Sequence, residues 1–132
     1  NIQNNIPVKL KKQKIKPKKF TRAYVLINEK KEILVRIRSS KGMLASMLEV
    51  PNDNWEEKKI LLTKDKLIKK IKLKFKKKGS LSYSFSHFNL SAEIFYAEIN
   101  KKNFPNQKWL NLSNYNSSQL PTVMKKIVNL AI

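Results

Sequence analysis

The spacing of apolar and polar residues changes several times along the chain, and each change marks an element. Phe20 to Asn28 carries the apolar run Tyr24-Val25-Leu26-Ile27 and reads as a strand, with Glu29-Lys30-Lys31 as the turn after it. Glu32 to Arg38 alternates Ile33, Val35 and Ile37 against Leu34, Arg36 and Arg38, which suits a second strand paired as a hairpin. Gly42 opens a loop into a short strand at Met47-Leu48-Glu49-Val50, which Pro51 ends. The spacing of Leu67, Ile68, Ile71, Leu73 and Phe75 predicts a helix over Thr63 to Phe75. Thr63 would cap it, Asp65 would lie in its first turn, and Lys69, Lys70, Lys72 and Lys74 would face outward. Lys76 to Gly79 reads as a loop, followed by strands near Leu81–Phe88 and Leu90–Asn100, a loop over Lys101–Gln107 and a short apolar element at Trp109-Leu110. A last helix is expected from Ser117 or Ser118 to about Leu130, with Pro121 in its first turn and a buried stripe of Val123, Met124, Ile127, Val128 and Ala131. Strands, a helix, more strands and a final helix predict an α+β fold whose mixed or antiparallel sheet is covered by helices.

The charge pattern divides the 132 residues in two. Asn1 to Lys19 is rich in lysine, lacks acidic residues and contains Pro7 and Pro17, so it reads as an extended basic arm. Residues 20–132 form the domain. A chain that opens on Asn1 is expected to be part of a longer protein. The net charge of +20 favours a polyanionic partner, most simply nucleic acid. All of the 29 basic residues except Arg22, Arg36 and Arg38 are lysine. Abundant Lys, Asn and Ile share A/T-rich codons, so coding bias accounts for part of that excess. Lysine suits phosphate, whereas arginine reads guanine edges, so the pattern favours backbone attraction over sequence reading. With no run of eighteen apolar residues and no apolar leader segment, neither a membrane partner nor a signal peptide is expected. There is no cysteine, which excludes disulfides, thiolate nucleophiles and cysteine-held metal in these residues.

Much catalytic chemistry is absent. Gly42 and Gly79 are the only glycines, so no phosphate-cradling glycine loop can be built. The single histidine, His87, cannot make a histidine-rich metal site. Ser86 and His87 adjoin in an expected strand, where their side chains would point to opposite faces and pair poorly as nucleophile and base. By the same alternation Phe85 reads as core and His87 as a structural histidine. The hairpin followed by Met47-Leu48-Glu49-Val50-Pro51 resembles the start of a NUDIX hydrolase. In that family glycines and a glutamate-bearing, magnesium-binding helix follow. Here Asn52-Asp53 replace the glycines, only Glu56 and Glu57 come close behind, and Lys66 to Lys72 stands where the glutamate helix would be. Lysines repel a hard divalent cation.

Four patches in order resemble the C-terminal domain of MutY-type adenine DNA glycosylases, over nearly the whole chain. They are Phe20 to Arg38 behind its basic arm, Lys41 to Pro51 with Trp55, Phe85-Ser86-His87-Phe88-Asn89-Leu90, and Trp109 with Leu120-Pro121-Thr122 and Lys125. One departure is Ala45-Ser46, where the family has paired glycines. The resemblance implies a NUDIX-like, non-catalytic domain that inspects 8-oxoguanine opposite adenine in double-stranded DNA during base excision repair. It implies Phe85, Ser86 and His87 as the lesion-reading residues, with Arg38 and Lys41 as backbone candidates. It also implies an N-terminal catalytic domain of the same protein as partner, a 4Fe–4S cluster held there and no cofactor or metal in this chain. A cytoplasmic, nucleoid-associated, bacterial setting follows from the same likeness. Two alternatives are a NUDIX-type nucleotide hydrolase and a basic nucleic-acid-binding module without lesion preference.

Overall fold

The computed structural model describes residues 16–59, 61–71, 73–100 and 107–132. Most of the expected basic arm and most of the Lys101–Gln107 loop lie outside the described residues. The elements are β1 (Lys18–Ile27), β2 (Glu32–Ile37), β3 (Leu48–Glu49), α1 (Lys66–Lys70), β4 (Lys76–Ser84), β5 (Asn89–Glu98), β6 (Lys108–Asn111), a 3₁₀ turn (Tyr115–Ser117) and α2 (Thr122–Ala131). The strands form one mixed sheet in the order β3-β2-β1-β5-β4, with β6 also on β2. β1 and β5 are parallel over their whole length, from Lys18↔Asn89 to Ile27↔Glu98, and the remaining pairs are antiparallel. The fold is α+β, as the order of elements predicts.

β1 is buried because both of its backbone edges are taken. The hairpin to β2 pairs at Ile27↔Ile33, and β2 then continues with β6 and β3. Residues 51–56 fill the edge that β2 leaves. Tyr24 N–H donates to Pro51 O at 2.9 Å, Asp53 N–H to Arg22 O at 2.9 Å, and Phe20 and Glu56 exchange bonds of 2.7 and 3.1 Å. A buried backbone group left unpaired would be destabilising, so this segment completes the sheet. The period-2 alternation of β1 and β2 then supplies two cores. Ala23, Val25, Ile33, Val35, Leu90 and Ile94 pack with Val123, Met124, Ile127 and Val128 of α2. Tyr24, Leu26, Leu34 and Ala97 pack on the other face with Ile68 of α1.

Four expectations are corrected. The Thr63–Phe75 helix is only α1, five residues long. Its cap is Asp65, whose side chain accepts from Ile68 N–H, while the Thr63 hydroxyl lies 3.0 Å from the Tyr24 hydroxyl. Ile71 is already extended (ψ 130°). Ile71, Leu73 and Phe75 also alternate with period 2, and all three pack against the Tyr24 core, Phe75 edge-on to Tyr24 at 5.4 Å. Tertiary contact therefore decides between two readings of one apolar run. The expected Lys76–Gly79 loop is the start of β4, where a bulge between Lys77 and Gly79 (φ 148°) shifts the register by one residue. Exposed lysines are at home on such an edge strand, because they discourage pairing with another chain. The strand expected to reach Phe88 ends at Ser84. Finally, α2 starts at Thr122 rather than Ser117, with Pro121 at its cap. A residue before proline avoids helical geometry, which excludes Leu120 and delays the helix.

Ile94 is fully buried between β1 and α2. Ile94→Ala is expected to lower unfolding free energy by about 2–5 kcal/mol, read as a shift of the urea midpoint at constant m-value.

Candidate nucleic-acid interface

The β4–β5 connection is the tight turn Phe85–Phe88, closed by Phe85 N–H donating to Phe88 O at 2.8 Å. The turn corrects the reading of His87 as a structural histidine. It lifts both Ser86 and His87 into solvent, while Phe85 is half-buried and Phe88 buried. It also removes the opposite-face geometry expected of that pair, because neither residue lies in a strand.

Beneath the exposed tip is an aromatic base. The Phe85 ring lies 4.9 Å from Tyr83, 5.0 Å from Phe88 and 5.6 Å from Trp55. Such pairs add about 0.5–1.5 kcal/mol each beyond area burial, so Phe85 anchors the turn. Cations ring the cluster, with Lys19 Nζ 4.7 Å from the Phe88 ring centroid and the Arg38 guanidinium 4.5 Å from that of Trp55. Lys16 Nζ donates to Ser84 Oγ at 2.6 Å and to Phe85 O at 2.8 Å. The end of the basic arm is thereby tied to the turn. A depression of about 410 Å³ beside Phe85 brings together three separated stretches, represented by Leu44 and Met47, Tyr83 and Phe85, and Leu120 and Pro121.

The carboxylates near Pro51 are held by arginine. Glu49 accepts from Arg36 Nε and from Arg38 Nη1, each at 2.7 Å, and from Asn52 Nδ2 at 2.8 Å. Arg36 also forks onto Asp65, which caps α1. The Arg36 pKa is raised: burial works against the charged form, but the hydrogen bonds it donates to Asp65 and Glu49 outweigh it. Asp53 accepts from the backbone N–H of Lys64 and Asp65 and lies 3.1 Å from the Tyr24 hydroxyl, whose pKa burial pushes upward. Among the described residues no group of three or more His, Cys, Asp and Glu is placed to hold a metal ion.

The structure brings Phe85, Ser86 and His87 together at one turn, with Arg38 over the Trp55 ring that packs against Phe85. Arg38 donates to Glu49 and to Met43 O at 3.1 Å, so its guanidinium is engaged within the protein. Lys41 is exposed on the loop before β3. Sequence reasoning missed Lys16, which nothing in a lysine-rich arm singles out. It also missed the Arg36–Glu49–Asp65 network, whose signal was two of the chain's three arginines, Arg36 and Arg38, close together in the expected second strand.

The loop from Ser39 to Met47 carries stored backbone strain. Leu44 (φ 58°) and Ser46 (φ 63°) are left-handed, a conformation disfavoured by about 1–2 kcal/mol for a residue with a Cβ. Ser46 stands where the resembling family has a glycine, and its side chain is exposed. Ser46→Gly is expected to stabilise the chain by up to about 1 kcal/mol in chemical denaturation, the relief of strain being offset by glycine's unfolded-state freedom. Glu49→Ala leaves two guanidinium groups facing each other and is expected to destabilise by about 3 kcal/mol in the same assay.

Comparison with known proteins agrees with this architecture. The family model described as NUDIX domain matches residues 22–130. No curated protein matches the chain. Among solved structures, the C-terminal domain of mouse MUTYH, in complex with human PCNA, is similar at TM-score 0.67 and 16% identity, covering 85% of this chain and 86% of that one. NrtR of Shewanella oneidensis, complexed with a 27mer DNA, is similar at TM-score 0.64 and 12% identity, covering 85% of this chain and 59% of that one. The MutT protein of Methanosarcina mazei is similar at TM-score 0.61 and 15% identity, covering 87% and 94%. With its mixed sheet, its Glu49-bearing β3 and a family match over most of its length, the chain belongs to the NUDIX domain family.

Proposed function

We propose that this chain is a non-catalytic NUDIX domain that reads 8-oxoguanine opposite adenine in duplex DNA, as the C-terminal domain of an adenine DNA glycosylase. The observation that carries the reading is the Phe85–Phe88 turn, which holds Ser86 exposed above an anchored aromatic base. Guanine N7 is an acceptor in the major groove. Oxidation at C8 turns N7 into an N–H donor and adds a carbonyl oxygen. A serine hydroxyl accepts from that N–H, and a backbone N–H of the turn can donate to the new carbonyl. Plain guanine has no C8 carbonyl, so that donor is left unpaired in a closed interface at a cost of about 1–3 kcal/mol, enough to prefer the lesion. His87 beside it would meet a phosphate, and the N-terminal catalytic domain would supply the remaining contact with DNA. Resemblance to the mouse domain and the order of the four sequence patches support this reading.

Nucleotide hydrolysis is the second reading, favoured by the family itself and by its MutT-like relatives. The commitment of Glu49 and Asp65 to Arg36 speaks against it, because a carboxylate neutralised by a guanidinium makes a poor ligand for a hard cation.

Competition binding at near-physiological salt separates the two. The whole protein, with and without Ser86→Ala, is offered duplexes carrying adenine opposite 8-oxoguanine or opposite plain guanine. The parent is expected to prefer the lesion, and Ser86→Ala to lose about five- to a hundredfold of that preference with an unchanged melting temperature. An unchanged preference would move lesion reading to another residue, and magnesium-dependent turnover of a nucleoside triphosphate by the purified chain would restore the hydrolase.

A further inference from the structure

α1 is short, and it covers only half of the sheet face on which it lies. It packs with Ile71, Leu73 and Phe75 over the Tyr24–Leu34 end. At the other end, next to the Phe85–Phe88 turn, three rows of side chains cross the strands β1, β5 and β4. These rows are Lys18–Asn89–Ser84, Phe20–Ser91–Ser82 and Arg22–Glu93–Ser80. The residues between them, such as Ala23, Leu90, Ala92 and Ile94, point to the α2 side and are buried, so the pleat places all three rows on one face. Lys18, Ser80, Ser82 and Ser84 are exposed, and Lys59 and Lys77 stand exposed at the margin.

Charge on this face is mainly positive. Among the described residues Glu93 is the carboxylate of the three rows, paired with Lys77 at 2.8 Å and Arg22 at 3.4 Å, and Glu56, bridged to Phe20 at the edge, pairs with Lys64 at 3.6 Å. The hydrogen bond from Lys77 holds the Glu93 carboxyl below the usual range, so it stays ionised and fixes both cations in place. Lys16, Lys18 and Lys59 add positive charge around it. Arg22 is further held over the Phe95 ring at 5.2 Å. The hydroxyls of Ser80, Ser82 and Ser84 repeat about every 6.7 Å along β4, the two-residue rise of a strand. The row leads through Ser84, which Lys16 binds, to Ser86 at the tip of the turn.

We infer that this sheet face, left open among the described residues, is a docking track for the sugar-phosphate backbone of duplex DNA, continuous with the turn that carries Ser86. Hydroxyls and fixed cations are the groups that hold phosphate and set register without reading sequence. A hydroxylated face with an excess of fixed cations follows a regular anion along the strand direction. Phe20 and the aliphatic stems of the lysines give it a base against which the sugars can rest. The inference adds a positioning surface to the proposed lesion reader, and it rests on that reading only in taking DNA as the partner.

Binding of the full chain to undamaged duplex, measured from about 50 mM salt upward, tests the track. The double variant Lys18→Gln/Lys59→Gln is expected to weaken binding about tenfold and to reduce the slope of log K against log salt by about 2. Ser82→Glu, which places a carboxylate in the middle of the face, is expected to weaken binding in the same direction. The control Lys30→Gln/Lys126→Gln removes equal charge from the β1–β2 turn and from α2 and is expected to change much less. Equal losses in the track and control variants would overturn the inference, as would a parent chain without measurable duplex binding at the lowest salt. The lesion-reading proposal fails separately. Track variants change affinity for damaged and undamaged duplex alike, while Ser86→Ala changes their ratio and leaves the salt slope unaltered.

Discussion

Glu49 held between Arg36 and Arg38 is the interaction on which the arrangement of this domain turns. Through Arg36 it reaches Asp65 and thus the start of α1. Through Arg38 it reaches the ring of Trp55, and Trp55 in turn supports Phe85 and Phe88. Asn52 closes the circuit by donating to Glu49 and accepting from Trp55 Nε1 at 3.0 Å. One carboxylate thereby fixes the helix on one face and the base of the exposed turn beside the other. A guanidinium pair suits this task because its planar fork sets direction as well as charge.

Legibility from sequence followed the strength of local patterning. β1 and β2 were readable because Tyr24–Ile27 and Ile33–Ile37 are apolar runs bounded by the turn at Asn28 to Lys31. The stripe on α2 was readable because Val123, Met124, Ile127, Val128 and Ala131 keep a helical period throughout. The region 63–84 was not, since Ile71, Leu73 and Phe75 satisfy either period and lysines mask the onset of β4. Asp65 as a cap was half visible, because an acidic residue near a helix start is favoured both as a cap and in the first turn. The Phe85–Ser86–His87 patch was found from resemblance, while its shape as a turn was hidden by the alternation of aromatics and serines. Lys16 and the cross-strand rows were invisible, because they depend on pairing between segments far apart in the chain.

The corrections have a common physical origin. A strand edge, a cap and a turn are each decided by which partner arrives from elsewhere. Segment 51–56 is the plainest instance. It has no strong strand pattern, yet its backbone satisfies the buried edge of β1. The short α1 has the opposite history. Its apolar neighbours Ile71, Leu73 and Phe75 pack as extended chain against the core around Tyr24.

The parallel pairing of β1 with β5 also bears on how the chain acquires its shape. Lys18 pairs with Asn89 and Ile27 with Glu98, so the central strand pair joins the beginning of the domain to its later part. Contacts of such long sequence separation pay loop-closure entropy before they yield stability, which makes folding slow. During that delay the apolar run of β1 has an open edge, the condition in which strands of different chains pair with one another. Lys18 and Lys19 at the mouth of that strand, with the lysines that open β4, act as gatekeepers in this interval. The charge of the chain thus serves the unfolded molecule as well as the folded one, keeping it apart from its own copies until β5 closes the sheet.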